Sequence, residues 1–271
     1  MSPLIITEGL VASLIKITLL AGDSILKIYR NSKCFPLEAG LVSHKSDLSP
    51  LTVADIHSHN IIVTELDRLD EKFLVISEEN YLNLEINSLP DIYWLVDPLD
   101  GTKEFLTSSD EFTVNICLIR LGEPVFGIVY APALKQLYYG GVDFGSFSVK
   151  GKFKSAISCL HLRKKNRQKI LVSKSHLNHR TKEFLTPFSP DNVFSVGSSI
   201  KFCMIAEGMA GLYPRLSPTY EWDTAAAQAV LEGAGGYVCD LKGNRLLYGK
   251  REALNPSFIA GAVPFSSWVF Q

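Results

Sequence analysis

Cysteine is scarce in this chain and shows no pairing pattern. Five occur in 271 residues (Cys34, Cys117, Cys159, Cys203 and Cys239), an odd number without a Cys-x-x-Cys spacing. Neither a disulfide framework nor a zinc site is suggested. Cys117 and Cys203 stand in apolar runs and read as small core residues, and unpaired thiols fit a reducing compartment. An excess of charge of either sign is also missing: 27 Lys and Arg stand against 28 Asp and Glu, a formal net charge of −1. No overall field draws the chain to a nucleic acid polymer or an acidic membrane, so an anionic substrate must be held by a local cluster. The opening stretch lacks a basic n-region, and Glu8, Lys16 and Asp23 interrupt its apolar residues. That argues against a signal peptide and against a transmembrane segment. Leu10, Leu14, Ile17, Ala21 and Ile28 recur mostly at three to four residues, which predicts an amphipathic helix packed on a core. Peripheral membrane contact through that helix is left open. There is no internal repeat and no long low-complexity tract.

What is present is a normal globular balance, 46% hydrophobic and 20% charged, enough for one large domain or two lobes sharing an interface. After the opening helix and a loop from Cys34 to Pro50, a helix is expected from about Thr52 to Leu69. Phe73–Ser77 and Tyr93–Val96 read as short buried strands, the second ended by Asp97-Pro98, with a polar loop at 82–91 between them. Residues 112–119 and 125–130 read as a hairpin around Gly122-Glu123-Pro124, and Gln136–Tyr139 as a strand ended by Gly140-Gly141. Residues 145–168 look irregular, and the basic cluster Arg163, Lys164 and Lys165 there reads as a solvated face. This stretch is the expected boundary between an N-terminal α+β lobe, 1–148, and a C-terminal α/β lobe, 149–271. In the second half, strands at 170–173, 193–196 and 237–240 alternate with helices at 178–185, 200–207 and 223–232, a sign of layered α/β packing.

Four carboxylates stand where these elements end. Glu78 follows Phe73-Leu-Val-Ile-Ser77, and Asp97 follows Tyr93-Trp-Leu-Val96. Asp100 lies three residues further on, and Asp223 opens a helix. Phosphate monoesters hydrolyse very slowly in water, and a catalyst must neutralise phosphoryl oxygens, activate a water and stabilise the leaving oxygen. Metal ions held by oxygen ligands alone can do all three, and such ligands favour Mg²⁺ over Zn²⁺. Pro98 would tighten the turn so that Asp100 points back at the site of Asp97, and the Leu99 carbonyl could supply a further hard ligand. Plainer readings stay open at this level: Asp-Pro-x-Asp-Gly as a surface turn, Asp223 as a helix cap, and Glu78-Glu79 as a solvated loop.

The motif Trp94-Leu-Val-Asp-Pro-Leu-Asp-Gly-Thr102 resembles the signature of the lithium-sensitive, magnesium-dependent phosphatases of the inositol monophosphatase superfamily. Glu221-Trp-Asp-Thr-Ala-Ala226 resembles their second signature, and the similarity covers nearly the whole chain. Inositol monophosphatases typically carry Thr-Asn-Phe where this chain has Thr102-Lys103-Glu104-Phe105. The latter is similar to the 3'(2'),5'-bisphosphate nucleotidases of the CysQ type. Glu111–Asn115, Val129–Pro132, Gly197–Phe202 and Leu212–Arg215 look like the same branch.

The resemblance implies a layered αβαβα sandwich of the inositol monophosphatase and fructose-1,6-bisphosphatase type, binding two or three Mg²⁺ ions. By position, Glu78, Asp97, the Leu99 carbonyl, Asp100 and Asp223 would bind metal. Gly101 and Thr102 would contact the scissile phosphate, partly through backbone N–H groups, with Glu78, Leu99, Asp100 and Asp223 around it. Asp55, in Thr52-Val-Ala-Asp55, would accept the Thr102 proton while the Thr102 oxygen positions the attacking water. Lys201, Arg215 and Ser198 would hold the 5'-phosphate, and His176 would lie near the nucleotide. On sequence alone Lys201, Arg215 and His176 read as solvated surface charges, and the plainer reading of Asp55 is a first-turn helix acid. Two departures, Asn80 for the family's Asp and Ala227 for its Gly, bear on metal affinity and helix packing.

The activity so implied is Mg²⁺-dependent removal of the 3'-phosphate of 3'-phosphoadenosine 5'-phosphate, clearing a by-product of sulfate assimilation. The enzyme would be a cytoplasmic monomer or weak dimer acting on a small nucleotide bisphosphate. The alternatives are an inositol or sugar monophosphatase and a catalytically silent nucleotide-binding regulator.

Overall fold

The computed structural model describes residues 6–34, 42–44, 50–84 and 89–263. Most of the loop expected between Cys34 and Pro50, and residues 85–88 of the second expected loop, lie outside them. Two sheets and three helical layers alternate. Helices α1 (Glu8–Cys34) and α2 (Val53–Asp67) cover one face of a seven-stranded sheet. Its strands are β3 (Leu74–Ser77), β4 (Ile92–Asp100), β5 (Thr113–Arg120), β6 (Glu123–Ala131), β7 (Gln136–Gly141), β8 (Gly145–Lys150) and β9 (Phe153–Ile157), and they neighbour one another in that order. β3 and β4 are parallel and the rest antiparallel. Helices α6 (Ile200–Ala206) and α7 (Ala225–Gly233) pack between this sheet and a five-stranded one. The second sheet has the order β11 (Val193–Val196), β10 (Ile170–Ser173), β12 (Leu212–Arg215), β14 (Phe258–Gly261), β13 (Tyr237–Asp240). Phe184 and Leu185 of α5 (His179–Leu185) close its outer face against Ile170, Val172, Leu212 and Ile259. The result is the layered αβαβα sandwich. A short pair, β1 (Val42–His44) with β2 (Pro50–Thr52), the small helices α3 (Thr102–Leu106) and α4 (Lys164–Arg167), and 3-10 turns at Tyr81–Asn83 and Pro190–Asn192 complete the described elements.

The strands of the first sheet read as unbroken apolar runs because both faces are buried. Successive side chains alternate between two cores: in β4, Tyr93 and Leu95 face the α6/α7 layer, while Trp94 and Val96 face α1 and α2. α1 is long and apolar enough to cross a membrane over Glu8–Asn31. Leu10, Leu14, Ile17, Ala21 and Ile25 are nevertheless buried against the sheet. At Gly22 a Cβ would lie 2.4 Å from the Tyr130 ring, so this helix docks closely on β6.

Several local expectations need correction. Residues 145–157 are not irregular: β8 and β9 extend the first sheet, and β8 spans the expected boundary at 148/149. The Gly145 turn and the mixed polarity of an edge strand hid them from a hydrophobicity reading. β7 does not stop before Gly140-Gly141 but includes both, since β-carbons there would clash with Ser146 and with the Val125 carbonyl. The β5–β6 hairpin turns on Leu121-Gly122, both at positive φ, not on Glu123-Pro124. β12 and β14, each four residues long, were not distinguished from loop. Cys117, Cys159, Cys203 and Cys239 are free and buried.

The approach of α7 to β6 is set at Gly127, where a Cβ would lie 2.1 Å from the Ala226 carbonyl oxygen. Gly127→Ala is therefore expected to cost about 1–3 kcal/mol through overpacking, read as a lower denaturation midpoint with an unchanged slope.

Candidate active site

The polar residues gather at one end of the α6/α7 layer, where both sheets stop. β4 does not end at Asp97. It continues to Asp100 through a bulge: Asp97 pairs with Asn115 and Asp100 with Thr113, so three steps on β4 match two on β5. In a regular strand, residues three apart face opposite sides. The extra residue brings Asp97 and Asp100 to the same side, and Pro98, which has no N–H to donate, is tolerated at such a bulge. The Asp97 carboxylate accepts the Leu99 N–H at 3.0 Å. The Pro98 carbonyl accepts the Ser58 hydroxyl at 2.7 Å, fastening the bulge to α2.

Asp223 completes the cluster. It does not open α7, whose cap is Thr224 and first residue Ala225. Asp223 lies in the preceding turn, where its carboxylate accepts the Tyr220 N–H at 2.9 Å. Asp97, Asp100 and Asp223 each offer an oxygen within 4.8 Å of the others. Burial holds the Asp100 and Asp223 carboxyls above the usual carboxylate range, and Asp223 is raised further by Asp100 and Glu78. Three crowded carboxylates fit a hard divalent cation, whose charge would relieve that repulsion. Glu78 stands just beyond β3 and lines the same cavity as Asp100 and Asp223.

Neither Asn80 nor Ala227 lines that cavity. The Asn80 amide accepts the Ser77 N–H at 2.8 Å and donates to the Val75 carbonyl at 3.1 Å, closing the turn after β3. Ala227 is buried within α7.

The cavity has a volume of about 360 Å³ and is also lined by Gly101, Thr102, His176, Ser198, Lys201 and Arg215. Leu99 is buried, and its carbonyl lies 3.2 Å from the Thr102 hydroxyl. The same hydroxyl is 3.3 Å from Asp55 Oδ1. Asp55 is the N3 residue of a capping box at the start of α2, with Oδ2 accepting the Thr52 N–H at 2.8 Å and the Thr52 hydroxyl at 2.5 Å. Its expected role as a helix acid and its expected contact with Thr102 thus coexist, one on each oxygen.

Lys201 and Arg215, both almost fully buried, are not surface charges. The Lys201 ammonium donates to the carbonyls of Val196, at 3.0 Å, and Ser198, and sits 5.0 Å from the Tyr213 ring centre. Burial pulls its pKa down to about 8, with Asp100 opposing and Arg215 adding to the fall. Arg215 Nη2 donates to the Pro218 carbonyl at 3.1 Å, while its buried Nε has no partner among the described residues. His176 lies 3.0 Å from the Lys103 ammonium, and burial together with Arg215 and Lys103 lowers its pKa to about 4. It is therefore neutral at neutral pH. Ser198 adopts a left-handed φ of 47°, a strained state that persists where surrounding structure holds it.

Every residue expected at the site is placed in or against this cavity. Others were missed. The Ser199 N–H donates to Asp100 at 2.6 Å, and its hydroxyl links Thr113 and Asn115 at 2.8 Å each. Glu104 accepts the Ser175 hydroxyl at 2.5 Å, joining α3 to the loop after β10. In the sequence Lys103 and Glu104 stand out only as a branch signal. Glu221, two residues before Asp223, is turned away: it accepts the N–H groups of Gly249 and Lys250 at 2.8 and 2.9 Å.

Comparison with known proteins agrees with this architecture. The sequence profile of the inositol monophosphatase family matches residues 11–264. The chain is 43% identical over 239 residues to the 3'(2'),5'-bisphosphate nucleotidase CysQ of Salmonella typhimurium, covering 88% of this chain and 94% of that protein. It is 39% identical to the protein of the same name from Buchnera aphidicola, over 90% of each. The crystal structure of CysQ from Bacteroides thetaiotaomicron, a bacterial member of the same family, matches with a TM-score of 0.74 at 36% identity, over 92% of this chain and 96% of that one. A Thermotoga maritima IMPase at 20% identity shares the fold, also with a TM-score of 0.74. On the match of its own sequence and fold, the chain belongs to the inositol monophosphatase family.

Proposed function

We propose that the chain is a Mg²⁺-dependent 3'(2'),5'-bisphosphate nucleotidase, converting 3'-phosphoadenosine 5'-phosphate and water to AMP and phosphate. The observation that carries this is one cavity lined by charges of both signs, Asp100, Asp223 and Glu78 together with Lys201, Arg215 and Lys103, with the neutral His176 among them. A substrate with two phosphates suits that lining, one phosphate held by the carboxylates through cations and the other held directly by the basic side chains.

In this reading Glu78, Asp97, the Leu99 carbonyl, Asp100 and Asp223 hold two or three Mg²⁺ ions. Those ions would neutralise the phosphoryl oxygens and acidify the attacking water. The protein's own groups then orient and move protons. Asp55 accepts from Thr52 through Oδ2, while Oδ1 lies 3.3 Å from the Thr102 hydroxyl. With its hydrogen given to Asp55, the Thr102 oxygen is free to accept a hydrogen bond from the water. As that water attacks phosphorus, its proton passes to Thr102 Oγ1 and the Thr102 proton to Asp55. The bond from phosphorus to the 3'-oxygen breaks in line, that oxygen takes up a proton, and Asp55 releases one to solvent. Gly101 and Thr102 orient the scissile phosphate. Arg215 grips the 5'-phosphate through its fork of donors, with Lys201 and Ser198 beside it. The protein acts in a reducing cytoplasm as a monomer or weak dimer.

The test is phosphate release with Mg²⁺ from 3'-phosphoadenosine 5'-phosphate against inositol 1-phosphate. Strong preference for the nucleotide is expected, and preference for the inositol ester overturns the substrate assignment. Thr102→Val is expected to lower kcat about 10²-fold or more, the scale of a positioned proton-transfer group, without a change in thermal midpoint. Asp55→Ala should lose both activity and about 1 kcal/mol of stability, because it also breaks the cap of α2. Equal stability losses in both variants would count against this division of roles.

A further inference from the structure

The turn that carries Asp223 is held from a distant part of the chain. Residues 219–221 pair with 253–255 as a short antiparallel ladder. The Asn255 N–H donates to the Thr219 carbonyl at 2.9 Å, the Glu221 N–H donates to the Ala253 carbonyl at 2.7 Å, and Tyr220 bridges Leu254. Ala253 adopts a left-handed φ of 50°, a conformation that costs an alanine free energy. The chain accepts that strain where it swings 253–255 against the turn. Pro256, following, biases Asn255 to an extended backbone.

At the centre is the buried Asn255 side chain. Its Nδ2 lies 2.8 Å from the Tyr220 carbonyl, 2.9 Å from the Thr224 hydroxyl and 3.3 Å from the Thr219 hydroxyl. It therefore ties together three residues flanking Asp223, one of which, Tyr220, gives its N–H to the Asp223 carboxylate. The Thr224 hydroxyl also lies 3.2 Å from the Tyr248 hydroxyl, which donates to Gln228 of α7 at 2.6 Å. The turn is thereby fixed both to the loop before β14 and to the helix that follows it. Asn255 itself does not line the cavity.

We propose that Asn255 is a positioning residue for the cation site, acting through the 219–224 turn to hold Asp223 in place. This rests on the reading of Asp97, Asp100 and Asp223 as cation ligands. Partners of that kind behind a metal ligand typically govern metal affinity by 10- to 100-fold. Truncating Asn255 frees the turn, so that part of the binding free energy goes into ordering Asp223 again.

The test is calorimetric titration of the full-length, metal-free protein with Mn²⁺ or Mg²⁺ alone, on the parent, Asn255→Ala and Asp223→Asn. Far-UV circular dichroism and thermal melts in EDTA establish that each is folded. Asn255→Ala is expected to weaken cation binding about 10- to 100-fold and to raise the Mg²⁺ concentration at half-maximal activity to match. At saturating Mg²⁺ its KM should stay close to the parent's. A general loss of stability would not produce that separation. Thr224→Val, nearly the same size, takes from Asn255 one of its three acceptors, along with the hydroxyl's own contacts to Glu221 and Tyr248, and is expected to give a smaller shift in the same direction. Combining the two should cost less than the sum of the single effects. Should Asn255→Ala not fold, the Thr224→Val titration decides. A folded variant with parental cation affinity overturns the proposal for Asn255 alone, whereas a parent that binds neither cation overturns the metal reading beneath it.

Discussion

Asp97→Asn is expected to abolish phosphate release while leaving the fold intact. Asp97 is buried at the bulge in β4, within 4.8 Å of oxygens from Asp100 and Asp223. An asparagine keeps an oxygen where Oδ1 now accepts the Leu99 N–H at 3.0 Å, so the bulge can persist. What is lost is one negative charge and one anionic ligand. A loss of about 10³-fold in kcat is expected, the upper range for removing a single electrostatic contributor. Stability should respond with opposite signs in two buffers. In EDTA the variant lacks one of three crowded carboxylates, so its thermal midpoint should rise. In millimolar Mg²⁺ the parent gains stability from ligand binding to the folded state, and the variant should gain far less. Parental activity would remove Asp97 from the mechanism. A lower midpoint in EDTA would show that the acidic cluster is not under repulsive load.

Arg215→Met is expected to separate the two phosphate subsites. Arg215 is almost fully buried, with its Nε lacking a partner among the described residues, and it lines the same cavity as Asp100 and Asp223. Methionine keeps most of the stem volume and removes the fork of donors. Losing one partner of a buried, hydrogen-bonded charge pair costs about 2–5 kcal/mol. That corresponds to a KM for 3'-phosphoadenosine 5'-phosphate raised about 30- to 10³-fold or more. With 3'-AMP, which has no 5'-phosphate, the loss should be far smaller, since nothing then occupies the arginine. A neighbouring effect is expected at Lys201, whose pKa is pulled down mainly by burial and further by Arg215. Removing the guanidinium should raise it. Equal losses on the two substrates would mean that Arg215 supports the pocket's shape and does not read the second phosphate.

Much of this site was legible because its chemistry is carried by local motifs. Trp94-Leu-Val-Asp-Pro-Leu-Asp-Gly-Thr102 concentrates a strand, a bulge, two carboxylates and a hydroxyl in nine residues, and each has a reason visible in the chain. Apolar runs mark strands buried on both faces. The heptad-like spacing of Leu10, Leu14, Ile17 and Ala21 marked the buried side of α1. Thr52 and Asp55 are three apart, the spacing of a capping box.

The sequence by itself determined the donor atoms, the order of the main elements and the class of chemistry, because those depend on residue type and on short-range spacing. Only the tertiary structure decided which charges are buried, and the difference is physical. Lys201 and Arg215 have the residue types of a solvated surface, and nothing within a few positions of either reveals that α6 and β12 turn them inward. Asp223 was expected to open a helix, yet it lies in the turn before α7, where it accepts the Tyr220 N–H and where residues far along the chain, 253–255, pair with the turn. The strands β8, β9, β12 and β14 were obscure or invisible for the same reason. A strand of four to six residues is stabilised by its partners across the sheet, and those partners come from elsewhere in the chain.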